Sequence, residues 1–243
     1  MSIGAALLQR FERIYIINLA SRTDRRAEMA GQLGRIGLTF DTPGVRLFAA
    51  IRPDGPGEFP SVGAHGCFMS HLSILEEARA DGLASVLILE DDLNFSNAFM
   101  ANADAYMAIL DAEPFAFLHG GSPLPDPSAA APTPLRLAPD EPMMTTHCIA
   151  LRGAAIADCA DYLAAMAARK GGDPAGGPMH VDGAYCWFRR ARPDLAGLSF
   201  SPSMAYQRLS DTDVAPQAAW KSLPVVKQLL GLRRRIRNAL RAR

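Results

Sequence analysis

The sequence predicts an α/β fold with a mainly parallel central sheet, and three observations carry that prediction. Short aliphatic and β-branched runs alternate with segments of helical periodicity along most of the chain. The strongest run, "ASVLILE" over 84–90, is continuous in aliphatic residues, as strands buried on both faces are. A length of 243 residues with 49% hydrophobic content suits a globular domain with a sizeable core. We expect a single domain over 1–220, followed by a basic amphipathic tail over 221–243.

Element by element, "RIYIINL" (13–19) reads as the first strand, and "SRTDRRAEMAGQLGRIG" (21–37) as a helix through Met29, Leu33 and Ile36 that Gly37 stops. "VRLFAA" (45–50) suggests a second strand, and "IRPDGPGEFPSVG" (51–63) a proline- and glycine-rich loop. A helix is expected from Ala64 to about Arg79, where "DG" at 81–82 ends it. After the strand at 84–90 come a helix over 96–111, a strand over 114–120, and an irregular loop over 121–134, too rich in proline for regular structure. "TTHCIALR" (145–152) predicts another strand and the alanine-rich 153–170 a helix. "GGDPAGGP" (171–178) reads as a connector, 180–191 as a short helix and 198–207 as an extended segment. Strand alternating with helix implies parallel βαβ units.

Charge narrows the function classes. The formal net charge is zero, yet residues 1–220 hold 17 basic against 25 acidic side chains, a net charge of −8, and all eight remaining basic residues lie in the tail. Nucleic acid is therefore not expected as a partner, because tracking phosphates needs a basic stripe on the folded body. The tail, with Leu229, Leu232, Ile236 and Leu240 at helical spacing, suits peripheral contact with an anionic membrane or with a protein. Cys67, Cys148, Cys159 and Cys186 show no metal-type or redox-type spacing and predict free thiols in a reducing cytosol. The N-terminal segment has neither the charge pattern of a signal peptide nor the length of a membrane span.

The acids Glu90, Asp91 and Asp92 follow the strongest strand directly, and ligands of open parallel sheets bind beyond the carboxyl ends of strands. Two-residue alternation puts Glu90 and Asp92 on one face and Asp91 on the other. Two like charges on one face call for a cation, and hard oxygen ligands suit Mg²⁺ or Mn²⁺. The competing account is a capped, solvated turn. Similar alternatives stand beside the other candidates. Asn18 could form a turn, Arg22 and Arg25 could be solvated charges, and His71 shares an apolar stripe with Cys67, Leu75 and Ala78.

Three segments in order, "IINLASRTDRR" (16–26), "GAHGCFMSHLSIL" (63–75) and "VLILEDD" (86–92), resemble glycosyltransferase family 25. These are bacterial lipopolysaccharide and lipooligosaccharide sugar transferases, with collagen galactosyltransferases among their relatives. Asn18, Leu19, Arg22, Asp24 and Arg25 match the first family motif. Gly63, Gly66, Cys67, Ser70, His71 and Leu75 match the second, and Glu90, Asp91 and Asp92 the third. Ala20, Ser21 and the 171–178 segment depart from the family pattern.

The resemblance implies a GT-A-type, Rossmann-like nucleotide-sugar-binding fold. It also implies inverting transfer of a hexose, often galactose, from a UDP-sugar to a saccharide or lipooligosaccharide acceptor. On this basis Glu90 and Asp92 are expected to hold Mn²⁺ or Mg²⁺. Asn18, Arg22, Arg25, Ser70 and Asp91 are expected on the donor side. His71 and Asp182 are the catalytic candidates, with Asp182 as the base that deprotonates the acceptor. Asp182 could equally start the helix over 180–191, and Asp211 and Asp213 are weaker candidates for the base. Two other readings compete: a non-catalytic nucleotide-sugar or carbohydrate-binding module, and a methyltransferase with the acids on a cofactor ribose. No glycine-rich turn follows the first strand, which counts against the methyltransferase.

Overall fold

The structure, a computed structural model, describes residues 1–208 except 123, 125 and 127. The basic tail, Asp211 and Asp213 lie outside the described residues. In chain order the elements are α1 (Ile3–Leu8), β1 (Arg13–Asn18), α2 (Thr23–Arg35), β2 (Val45–Ala49), α3 (Val62–Ala80), β3 (Ser85–Glu90) and β4 (Leu93–Phe95). They continue with α4 (Asn97–Ala101), α5 (Ala103–Ala112), β5 (Phe117–His119), β6 (Gly121–Ser122), β7 (Thr133–Leu137) and β8 (Cys148–Arg152). The last are α6 (Ala154–Ala167), α7 (Val181–Ala191), β9 (Gly197–Ser201) and β10 (Ala205–Gln207).

A seven-stranded sheet, ordered β2-β1-β3-β8-β5-β9-β7, forms the centre. Strands β2, β1, β3, β5 and β9 run one way, and β8 and β7 run against them. The sheet is thus α/β and mostly parallel in direction, as expected. The correction concerns 145–152: rather than closing a further parallel βαβ unit, β8 inserts antiparallel between β3 and β5. An aliphatic run specifies burial but not direction, so the sequence pattern could not distinguish the two.

Alternation along each strand splits the core into two layers. Ile14, Ile16, Leu87 and Leu89 pack with Leu7 of α1, Met29 and Leu33 of α2, and Tyr106 and Leu110 of α5. Tyr15, Ile17, Val86 and Ile88 pack on the opposite face with α3, α6 and α7. Helix α1 was not expected. Ser2 caps it, its hydroxyl accepting from the Ala5 amide at 3.2 Å, and Leu7 is wholly buried. Among the described residues, no helix is long and apolar enough to cross a membrane.

Two local readings also change. The single helix expected over 96–111 is two helices meeting at Asn102, whose side-chain amide donates to the Ala98 and Ala129 carbonyls. The end of the proline-rich segment is β7, an edge strand, where the missing amide of Pro134 is tolerated. A second small sheet, β4-β10-β6, stands beside the carboxyl end of β3 and brings 205–207 next to the acids.

Strand β1 has α2 leading away from it on one face, while α3, leading into β3, lies on the other. The chain therefore reverses its winding between β1 and β3. That switch point opens a crevice at the carboxyl ends of both strands, where Asn18 and Glu90 stand.

Candidate functional site

A cavity of about 590 Å³ occupies that crevice, lined by Arg25, Ile51, Arg52, Gly66, Cys67, Ser70 and all three acids among others. Its size is in the range that holds small ligands. The chain turns at Asp91 and Asp92 before β4 begins, so strict alternation ends at Glu90 and each acid meets different neighbours.

Asp91 belongs to the β1 side. Its Oδ2 accepts from the Asn18 amide at 2.7 Å, and its Oδ1 from Arg25 at 2.9 Å. Asn18 also donates to the Arg22 carbonyl at 3.3 Å, tying the end of β1 to the start of α2. Burial raises the Asp91 carboxyl above its usual range, and Arg25 and Asn18 only partly offset this. Arg22 pairs with its neighbour Asp24 at 2.9 Å, which holds the Asp24 carboxyl down at about 2, and is not among the residues of the cavity wall.

Asp92 lies 3.7 Å from Arg25 and accepts from Gln207 of β10 at 3.2 Å, while its Oδ1 is buried with no hydrogen-bond partner among the described residues. Burial first, and the Glu90 charge second, push its carboxyl up to about 7. Glu90 goes the other way. Burial opposes its ionisation, but His71 and the Thr146 hydroxyl, donating at 2.5 Å, outweigh that and hold it below the usual carboxylate range. Two adjacent carboxylates are thus set apart by their surroundings.

The second motif acts largely as scaffold. Ser70 accepts from the Ile51 amide at 2.9 Å and donates to the Gly66 carbonyl at 2.7 Å, so its hydroxyl fixes the loop after β2 against α3. Gly66 permits that approach, because a Cβ there would lie 2.4 Å from the Ile51 carbonyl oxygen. Alanine normally gains up to about 1 kcal/mol over glycine inside a helix. We expect Gly66→Ala to lose about 1–3 kcal/mol instead, through overpacking. Urea denaturation checks this, and an unchanged or raised midpoint would contradict it.

His71 is fully buried and stands behind the cavity wall. Its Nδ1 lies 3.1 Å from the Tyr185 hydroxyl and its Nε2 3.4 Å from Glu90 Oε1. It reaches the cavity only through Glu90. Cys67 does line the cavity, and burial followed by the Glu90 and Asp92 charges pushes its thiol well above the usual value. The potential ligand atoms of Cys67, His71 and Glu90 lie within 4.8 Å of one another.

Asp182, in the first turn of α7, accepts from the Thr145 amide at 3.4 Å and the Gly183 amide at 2.8 Å. It is half-buried and is not part of the wall of this cavity. The neighbouring Thr146 bonds Glu90, so a short segment links Asp182 to the acids. His119 senses the Asp182 charge and His147 that of Glu90, and burial lowers each histidine to about 4 and holds it neutral.

Sequence reasoning missed Thr146, Gln207 and Arg208. The Arg208 guanidinium donates to the Asp91 and Leu93 carbonyls at 2.7 and 3.3 Å and pairs with Glu28 at 2.9 Å, while its amide donates to the Asp92 carbonyl at 2.6 Å. Thr146 falls in the 145–152 run and Gln207 at the end of 198–207, and no local periodicity marks either of them or Arg208.

With Asp92 Oδ1 orphaned among the described residues and Arg25 the cation that pairs with Asp91 and Asp92, the site's chemistry fits a hard divalent cation. Glu90 and Asp92 are the residues that would hold it.

Comparison with known proteins agrees with this geometry. Residues 11–122 match the model of glycosyltransferase family 25 (LPS biosynthesis protein). The human protein named inactive glycosyltransferase 25 family member 3 is 34% identical over 119 residues, covering 42% of this chain and 20% of that protein. The lacto-N-neotetraose biosynthesis glycosyltransferase LgtB of Neisseria meningitidis is 34% identical over 93 residues, covering 32% of each. A glycosyltransferase 25 family member of Drosophila melanogaster is 31% identical over 108 residues, 38% of this chain and 18% of that protein. This chain therefore spans between about a fifth and a third of the length of these relatives. The matched stretch runs from before β1 through the acids to β6, and across it the chain is similar to glycosyltransferase family 25.

Proposed function

We propose that the cavity is the donor site of a hexosyltransferase. It would move a hexose, galactose foremost, from a UDP-sugar to a saccharide hydroxyl of lipopolysaccharide, lipooligosaccharide or another surface glycan, with inversion. The observation that supports this best is the excess of buried carboxylate at the switch-point crevice, with one oxygen of Asp92 unpartnered. An anionic diphosphate would not bind there against three carboxylates unless a cation came with it. Mn²⁺ or Mg²⁺ held by Glu90 and Asp92 would supply Lewis-acid stabilisation of the departing diphosphate.

The protein's own groups then have distinct tasks. Arg25, on the cavity wall, is placed to meet donor oxygens while neutralising Asp91. Asn18 and Asp91 orient Arg25 and the start of α2, and Arg22 adds positive charge at that helix start. Ser70 holds the loop that carries Arg52, a further guanidinium on the wall. His71 is a positioning residue that acts through Glu90. Asp182 is the proposed base, receiving the acceptor proton as the hydroxyl attacks. Its charge is felt at Cys67 on the wall and at His119. The name of the meningococcal relative supports a saccharide acceptor.

A second reading, nucleotide-sugar binding without turnover, gains weight because the human relative is named inactive. The test is UDP release from a panel of UDP-sugars with Mn²⁺, with and without lipooligosaccharide. Turnover of one donor, raised by acceptor, is expected; tight UDP binding without release would favour the binding module. Asp182→Asn is expected to lower kcat by about 10²–10⁴-fold with donor affinity unchanged. An unaltered kcat would move the base elsewhere.

A further inference from the structure

The contact between His71 and Glu90 is poor as a hydrogen bond. At 3.4 Å between Nε2 and Oε1 it is longer than the ordinary range of about 2.7–3.2 Å for such bonds, although both groups are well ordered by other partners. That separation has another meaning. Two ligand atoms about 2.0–2.1 Å from a tetrahedral zinc ion stand about 3.4 Å apart. The third group is already at hand, since the sulfur of Cys67, a ring nitrogen of His71 and a carboxylate oxygen of Glu90 lie within 4.8 Å of one another. A zinc–sulfur bond of about 2.3 Å would need the thiol to move in by only about an ångström.

We propose that Cys67, His71 and Glu90 form a site for a thiophilic divalent cation, Zn²⁺ in particular, separate in ligand chemistry from the hard-cation site at Asp92. Supporting contacts of the kind metal sites need are present. The Tyr185 hydroxyl, 3.1 Å from Nδ1, is placed to accept an Nδ1 proton, the tautomer His71 would adopt when Nε2 gives up its contact with Glu90 to bind the ion. Thr146 donates to Glu90 Oε1 and fixes the carboxylate. An entry path exists, because Cys67 and Glu90 both line the cavity while His71 closes the site from behind. The fourth position therefore opens on the cavity, as in zinc sites that accept an exogenous ligand.

This inference stands without the transferase reading, but its consequence rests on it. A zinc ion here takes Glu90 away from the donor-site cation, so Zn²⁺ inhibits transfer that Mn²⁺ supports.

The experiment is titration of the full chain, in a non-thiol reductant, with Co²⁺ as a spectroscopic probe and then with Zn²⁺ in competition. A thiolate-to-cobalt charge-transfer band is expected, abolished by Cys67→Ser and kept by Cys186→Ser and by Asp92→Asn. Tyr185→Phe, which keeps the ring packing, should weaken Zn²⁺ binding about 10–100-fold. No band in a folded wild-type protein, or a band that survives Cys67→Ser, would overturn the proposal. If the band behaves as expected but no UDP-sugar is turned over, the zinc site holds and the transferase reading fails. Turnover with no band gives the reverse.

Discussion

Asp92→Asn should abolish transfer and, at the same time, make the cation-free protein more stable above neutral pH. Burial and the Glu90 charge hold the Asp92 carboxyl at about 7, whereas an unfolded aspartate ionises near 3.9. Between those values the folded chain keeps a proton that the unfolded chain has released. Stability therefore falls as pH rises from about 4 to about 7, and the loss is complete above that. Asparagine removes the charge and with it that slope. In chelator at pH 8 the variant should be more stable than wild type by about 4 kcal/mol, about 1.4 kcal/mol for each unit between the two values, with the difference vanishing near pH 4. Mn²⁺ should raise the wild-type Tm at pH 8 and leave the variant nearly unmoved, since only a cation bound to the folded state stabilises it. Turnover should fall by about 10³-fold, the scale of losing one electrostatic stabiliser of a developing charge. Urea denaturation across pH and UDP release read the two effects separately. Full turnover in the variant would remove Asp92 from the donor site, and parallel pH profiles would show that its carboxyl ionises normally.

The parts of this site that could be read from the sequence are those that strands impose. "RIYIINL" and "ASVLILE" end at Asn18 and Glu90 because buried aliphatic runs stop where the chain reaches the edge of the sheet, and the structure pairs Ile17 with Glu90 across that edge. What each acid does could not be read, because the turn at 91–92 breaks the alternation used to assign faces. His71 was legible as a residue on an apolar stripe. Its burial behind Glu90 depends on Tyr185, 114 positions away, which no local pattern links to it. The same holds for Thr146 and Gln207, which reach Glu90 and Asp92 across 56 and 115 positions. They come from the segment that leads into the antiparallel β8 and from the three-residue β10, and neither the direction of the one nor the pairing of the other leaves a signature in composition.

Arg208 is the sharpest case of a residue without a sequence signal and with a large expected effect. Its guanidinium satisfies the carbonyls of Asp91 and Leu93 and the side-chain oxygen of Asn94, and it does so almost wholly buried. The backbone on both sides of the acidic turn is thus held by one planar fork. Arg208→Met keeps the aliphatic stem but leaves the two carbonyls without this donor and Glu28 without its partner at 2.9 Å. We expect a loss of about 3 kcal/mol, the scale of breaking a buried charged network from one side. In protein that remains folded, transfer should drop by about 10²-fold, because small displacements of positioned groups have effects of that size. Arg208→Lys separates charge from geometry: an ammonium restores the positive charge near Glu28 but cannot span both carbonyls. If fork geometry matters, lysine should recover little of the activity and only part of the stability. A lysine variant indistinguishable from wild type would mean that positive charge alone keeps the three acids in place.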